Sequence, residues 1–128
     1  IQRVCPGVPV LPIAVGQHPP RQAADLLESI MTDGAMLVVS TDLSHYLDAD
    51  TARRLDTLTA AAIVALDHMS LDPEHACGCD ALRASISWAH SAGLDARLLD
   101  LRSSADTAGD PRKVVGYGAF AIERSHTA

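Results

Sequence analysis

An unbroken apolar run, Ala35-Met36-Leu37-Val38-Val39, empties directly into Ser40-Thr41-Asp42-Leu43-Ser44-His45-Tyr46. Continuous apolar residues without alternation read as a strand buried on both faces, over residues 35–40. Such strands belong to sheets covered by helices, and open α/β sheets bind ligands in the crevice beyond the carboxyl ends of their strands. The turn at that end carries a carboxylate and an imidazole. The Asp-x-x-His spacing lets Asp42 and His45 converge on one point, as a proton-transfer pair or as metal-site residues. A plainer reading fits equally: Asp42 caps the amides of a helix entry while His45 packs or faces solvent.

The flanking sequence builds an α/β chain around this strand. Residues 8–15 are apolar and end at Gly16, which predicts another strand. Pro9 and Pro12 cannot donate ladder hydrogen bonds and push that strand toward an edge. Pro19-Pro20 opens a helix to about Thr32, with Ala23, Ala24, Leu27, Ile30 and Met31 at helical spacing and Asp33-Gly34 as its stop. Asp48 or Asp50 caps a helix running to about Leu66. Its expected buried stripe is Leu55, Leu58, Ala62 and Leu66, with Arg53, Arg54 and Asp56 in water. A polar loop over 67–76 precedes a helix from Gly78 to Gly93 that buries Leu82, Ile86 and Ala89. Strands follow over 95–101 and 114–122, and the tail beyond Glu123 is expected to fray. The order β-α-β-α-α-β-β predicts a mixed sheet flanked by helices on both faces, in a single domain over 1–128. Aromatics are confined to Tyr46, Trp88, Tyr117 and Phe120, so small aliphatic side chains must build the core.

Charge and cysteine content narrow the function classes. A net charge of −6, with a single lysine at Lys113, repels phosphate backbones and argues against nucleic-acid binding. No run approaches the roughly 18 apolar residues that span a bilayer. Cys5, Cys77 and Cys79 are an odd, badly spaced set for disulfides, which points to a reducing compartment and a cytoplasmic protein. The chain opens on Ile1, and a strand-like segment begins within a few residues, as in the interior of a domain.

Two further segments carry chemistry. In His75-Ala76-Cys77-Gly78-Cys79-Asp80, Cys77 falls at an expected helix start, where free amides favour a thiolate that can bind metal or act as a nucleophile. Cys-x-Cys alone lacks the second pair of a structural zinc site, and two small buried residues at a helix start explain it as well. The loop Arg102-Ser103-Ser104-Ala105-Asp106-Thr107-Ala108-Gly109-Asp110 either lines the same crevice or is a solvated connection. His18, His68, His90 and His126 read as solvated, and Trp88 and Tyr117 as packing residues.

Taken in order, Ser40 to Tyr46, Ala76-Cys77-Gly78, Ser104 to Asp110 and Val114-Val115-Gly116-Tyr117 resemble the Memo-like family, whose bacterial members are called AmmeMemoRadiSam system protein B. The resemblance covers nearly the whole chain. It implies a fold shared with class III extradiol dioxygenases and a pocket holding a divalent metal (iron, copper or zinc) on two histidines and one cysteine. Cys77 matches the cysteine, and Asp42 and His45 match the acid and histidine beside the metal. Asp106 and Ser44 fall among the polar groups supporting them. The two metal-binding histidines belong to the family's N-terminal half, so the resemblance implies a C-terminal portion of a larger domain with an incomplete metal cage. His75 is a weak substitute, and Cys79 departs from the family pattern in a way that invites stray zinc or copper. The family name implies a radical-SAM partner and a redox or dioxygenase-like reaction. A non-catalytic module holding a small molecule or peptide in the same pocket is the alternative. Sheet edges left open by a missing half are expected to promote self-association.

Overall fold

Helix boundaries follow the chain's own punctuation. The computed structural model describes residues 1–17, 19–107 and 109–124. It contains helix α1 (Pro20–Ile30), strand β1 (His45–Leu47), helices α2 (Ala49–Val64) and α3 (Cys79–Ser91), and strands β2 (Leu94–Ser103) and β3 (Val114–Arg124). Single 3-10 turns occur at His68–Ser70 and Ser104–Asp106. Pro20 occupies the first turn of α1, where its missing N–H costs nothing. Asp48 caps α2 by accepting the Thr51 amide at 3.0 Å, a bond that holds its carboxyl below the usual carboxylate range. Gly93, at φ 66°, ends α3 in the left-handed region that a side chain would strain. Among the described residues, no helix is long and apolar enough to cross a membrane. The expectations for His18, Ala108, His126 and the tail beyond Arg124 lie outside the described residues.

The chain is α/β, as expected, and its three strands pair antiparallel in the order β1-β3-β2. The even-numbered residues of β3 face the helices. Gly116 lies against Asp56 of α2, Gly118 against Leu43, and Phe120 and Ile122 against the core that α2 and α3 share. That core is Ile63, Leu66, Leu71, Ala76, Cys79, Leu82, Ile86 and Ala89, flanked by Leu94 and Ala96 of β2. Both helices therefore cover the same face of the sheet. Helix α1 reaches the assembly through α3, where the Trp88 indole N–H donates to Glu28 at 2.9 Å.

Two expected strands do not join the ladder. Residues 8–15 form no regular structure and are mostly exposed, as two prolines without N–H groups allow. Residues 35–40 form none either, with Leu37 and Val39 half-buried and Met36 and Val38 exposed. This is the alternation of a strand covered on one side, and no described strand lies beside it. The three-residue strand β1 took its place in the sheet, pairing His45 with Val115.

The stripe of α2 is also rotated from the expected one. Leu58 is 66 % exposed, while Asp56 is 2 % exposed and faces inward with Ala52, Thr59, Ala60 and Ile63. Its Oδ1 accepts the Ser44 amide at 3.0 Å, a bond that satisfies a buried donor and offsets burial of the carboxylate. Gly116 leaves room for it, because a β-carbon there would overlap the carboxyl group.

Gly116→Ala is expected to lower unfolding free energy by about 1–3 kcal/mol through overpacking. Asp56→Ala, which strands the Ser44 amide, is expected to cost about 1–3 kcal/mol. In urea titrations the alanine at 116 should cost less when Asp56 is already gone. Strict additivity of the two substitutions would contradict their contact.

Candidate metal centre

The turn from Thr41 to His45 is pinned from two sides. On the sheet side, Leu43 N–H donates to Gly116 O at 2.9 Å and Gly116 N–H to Ser44 O at 2.8 Å. On the helix side, the turn and the start of α3 bond to each other reciprocally. Cys77 N–H donates to Asp42 O at 3.2 Å, and Asp42 N–H donates to Cys77 Sγ at 3.3 Å. Gly78 N–H donates to Thr41 Oγ1 at 2.8 Å, and that hydroxyl donates to Asp42 O at 2.9 Å. Thr41 Oγ1 also lies 3.4 Å from Cys77 Sγ. Gly78 lies close against this contact: a β-carbon there would stand 3.0 Å from the Thr41 side chain, which would have to give way by a few tenths of an ångström.

This double attachment brings Asp42, His45 and Cys77 together. One ligand atom from each lies within 4.8 Å of the others. His45 Nε2 and Asp42 Oδ2 are 3.7 Å apart, within ion-pair reach when the imidazole is protonated but too long for a hydrogen bond. The cluster is open to solvent on one side: Cys77 is exposed, and Asp42 and His45 are partly so.

The donor set fits a transition metal. Tetrahedral bonds of about 2.0–2.3 Å place donors about 3.3–3.8 Å apart, so the widest pair has only about an ångström to close. The Cys77 thiolate selects zinc, copper or iron over magnesium or calcium, for which carboxylates and carbonyls suffice.

Immediately after His45, Tyr46 holds φ at 62°, an uncommon conformation for a bulky side chain. It sits at a register shift between β1 and β3. The irregularity turns His45 toward the cluster side of the sheet end while Tyr46 projects outward, with the Lys113 ammonium 4.7 Å from its ring centre.

The other sequence candidates fall elsewhere. Ser44 is wholly buried between Asp42 and His45, and its hydroxyl has no hydrogen-bond partner among the described residues. Asp106 is outside the cluster. It accepts the Ser103 amide at 2.7 Å, which holds its carboxyl below the usual range, and lines a shallow groove of about 470 Å³ with Arg53, Asp56 and Arg102. His75 uses Nδ1 to accept the Asp72 amide at 2.9 Å. Cys79 is packed in the core, and burial pushes its thiol pKa up. Sequence reasoning missed two residues, Thr41 and Asp56. Asp56 was legible only as a carboxylate sharing a helical face with Ala52, Thr59, Ala60 and Ile63.

Comparison with known proteins bears on the whole chain. A family model described as Memo-like protein matches residues 1–121. A MEMO1 family protein of Desulfurococcus amylolyticus is 32% identical over 125 residues, covering 88% of this chain and 44% of that protein. A MEMO1 family protein of Archaeoglobus fulgidus is 30% identical over 123 residues, covering 87% and 47%. One from Methanosarcina acetivorans is 32% identical over 127 residues, covering 89% and 48%. The chain thus spans about half the length of the curated relatives it matches.

The contrast between the cysteines is open to measurement. Timed alkylation with iodoacetamide at pH 8, read by mass spectrometry, should modify exposed Cys77 well before Cys79 in the native protein. Equal rates, or faster labelling of Cys79, would contradict their placement.

Proposed function

This chain belongs to the Memo-like family, and from that premise we propose that it forms the cysteine-bearing side of a metal-dependent redox or dioxygenase-like site. The observation that carries this reading is the convergence of Asp42, His45 and Cys77 on one solvent-accessible point. Two segments distant in the chain are hydrogen-bonded together there.

In this reading Cys77 holds the metal through its sulfur. The Asp42 amide, donating to the same sulfur, orients it. His45 takes up or releases a proton at Nε2, and the Asp42 carboxylate lies 3.7 Å from that nitrogen on the cluster side. A bound iron or copper supplies the electron transfer that side chains of this kind cannot. The Ser44 amide, held by buried Asp56, steadies the turn, and the Asp106 carboxylate, accepting the Ser103 amide, steadies the neighbouring loop.

The chain acts as one part of a larger Memo-like domain, whose remainder supplies two metal-binding histidines. Its span of 44–48% of the curated relatives supports this. So does the exposed strand-like segment 35–40, beside an open groove of about 740 Å³ lined by Met36, Leu37, Val39, Ile86 and Phe120. The ligand is a small molecule or peptide segment, and the partner is a radical-SAM protein, on the strength of the family resemblance. A second reading, a non-catalytic module holding its ligand without turnover, draws on the same groove.

Calorimetric titration with zinc or copper tests the site. The chain should bind weakly enough to lose its metal on dialysis. Cys77→Ala should abolish binding, and His45→Ala should leave most of it. Tight stoichiometric metal in this chain alone would contradict the placement of two ligands outside it. Loss of binding in His45→Ala would make His45 a ligand in place of a proton carrier.

A further inference from the structure

Strand β2 is the outer strand of the sheet. It pairs with β3 on one side and with no described strand on the other. An open edge of ten residues is a template for another strand, and the chemistry of this one specifies which. We propose that β2 pairs antiparallel with β2 of a second copy of this chain, about a two-fold axis through a bulge at Leu98-Leu99.

The bulge creates the complementarity. Pairing with β3 shifts between Leu98 and Asp100, leaving Leu99 as an extra residue. Before the bulge, Asp95 and Arg97 lie opposite Glu123 and Ala121 on the face away from the helices. After it, Asp100 and Arg102 lie opposite Ala119 and Tyr117 on that same face. In a regular strand these two pairs would point to opposite faces. With the bulge, all four charges share one face, and Leu94, Ala96, Leu101 and Ser103 share the covered one.

Reversed against a copy of itself, the strand meets favourable partners. Asp95 stands opposite Arg102, Arg97 opposite Asp100 and Ala96 opposite Leu101, and the two-fold repeats each contact. Leu98, 42% exposed, stands opposite Leu99 of the second copy, 52% exposed, on each side of the axis, and both leave water. The register is fixed as well. Sliding two residues one way sets Arg97 against Arg102, and the other way sets Asp95 against Asp100. Within one chain, Arg97 already pairs with Glu123 at 3.0 Å and Arg102 with Asp100 at 2.8 Å. The dimer extends these into one ladder of alternating charge.

Sedimentation velocity over a range of protein concentrations tests the pairing. The chain should show a reversible monomer–dimer equilibrium. Arg97→Asp and Asp100→Arg, each of which sets like charges face to face across the axis, should each weaken the dimer about tenfold or more. The double variant restores opposite charges between copies and should recover the dimer, although it keeps both new like-charge contacts within each chain. Rescue therefore reports pairing between copies and not internal stability. Circular dichroism checks folding. If the Arg97 series does not fold, the Asp95→Arg and Arg102→Asp exchange poses the same question at the outer pair. A monomer at every concentration, or single variants that dimerise like the parent, or a double variant weaker than either single, would overturn the proposal.

Discussion

The reciprocal bonding of Thr41-Asp42 to Cys77-Gly78 is the constraint on which the candidate site depends. Thirty-five residues separate Asp42 from Cys77 in the chain, and closing a loop of that length is opposed by chain entropy. Four polar contacts between the two segments, two of them to the Cys77 sulfur, offset part of that cost, and they do so at one spot. They fix the sulfur relative to the carboxylate before any metal arrives. A site assembled in advance loses less freedom when it binds, so even an incomplete donor set is poised for its ion.

A second device holds the other end of the same turn. Buried Asp56 ties α2 to the Ser44 amide, and Gly116 opens the space in β3 that the carboxylate fills. The turn is thereby locked among one helix, one strand and the start of another helix. His45 inherits its direction from that lock and from the irregular β1 pairing that follows it. Core packing and site geometry are one problem in this chain. A carboxylate that reads as a surface residue is the piece joining them.

Much of this was legible in the sequence. Prolines, capping aspartates and glycines marked the helices to within two or three residues, because these signals act locally. Strand β2 was visible in its alternation and β3 in an apolar run. Asp42, His45 and Cys77 were legible as a set through the family resemblance, and the coordinates bring them together. The segments 8–15 and 35–40 were not readable in the same way. Apolar composition records a strand's wish for neighbours, and whether neighbours exist is a tertiary fact. The rotation of α2 was hidden for a related reason. Leu58 outranks Asp56 in hydropathy, yet a buried carboxylate with an amide donor and a glycine hollow wins the inward position. Asp106 lies outside the cluster of Asp42, His45 and Cys77, its carboxylate accepting the Ser103 amide.

Cobalt(II) titration followed by visible and near-ultraviolet absorption asks most directly whether the sulfur of residue 77 faces a metal position shared with the 42–45 turn. A thiolate-to-cobalt charge-transfer band should appear, saturate with added metal and vanish in Cys77→Ala. The band should weaken in Thr41→Ala, where the sulfur loses its anchor. A spectrum without that band, or one unchanged when Cys77 is removed, would contradict that placement of the sulfur.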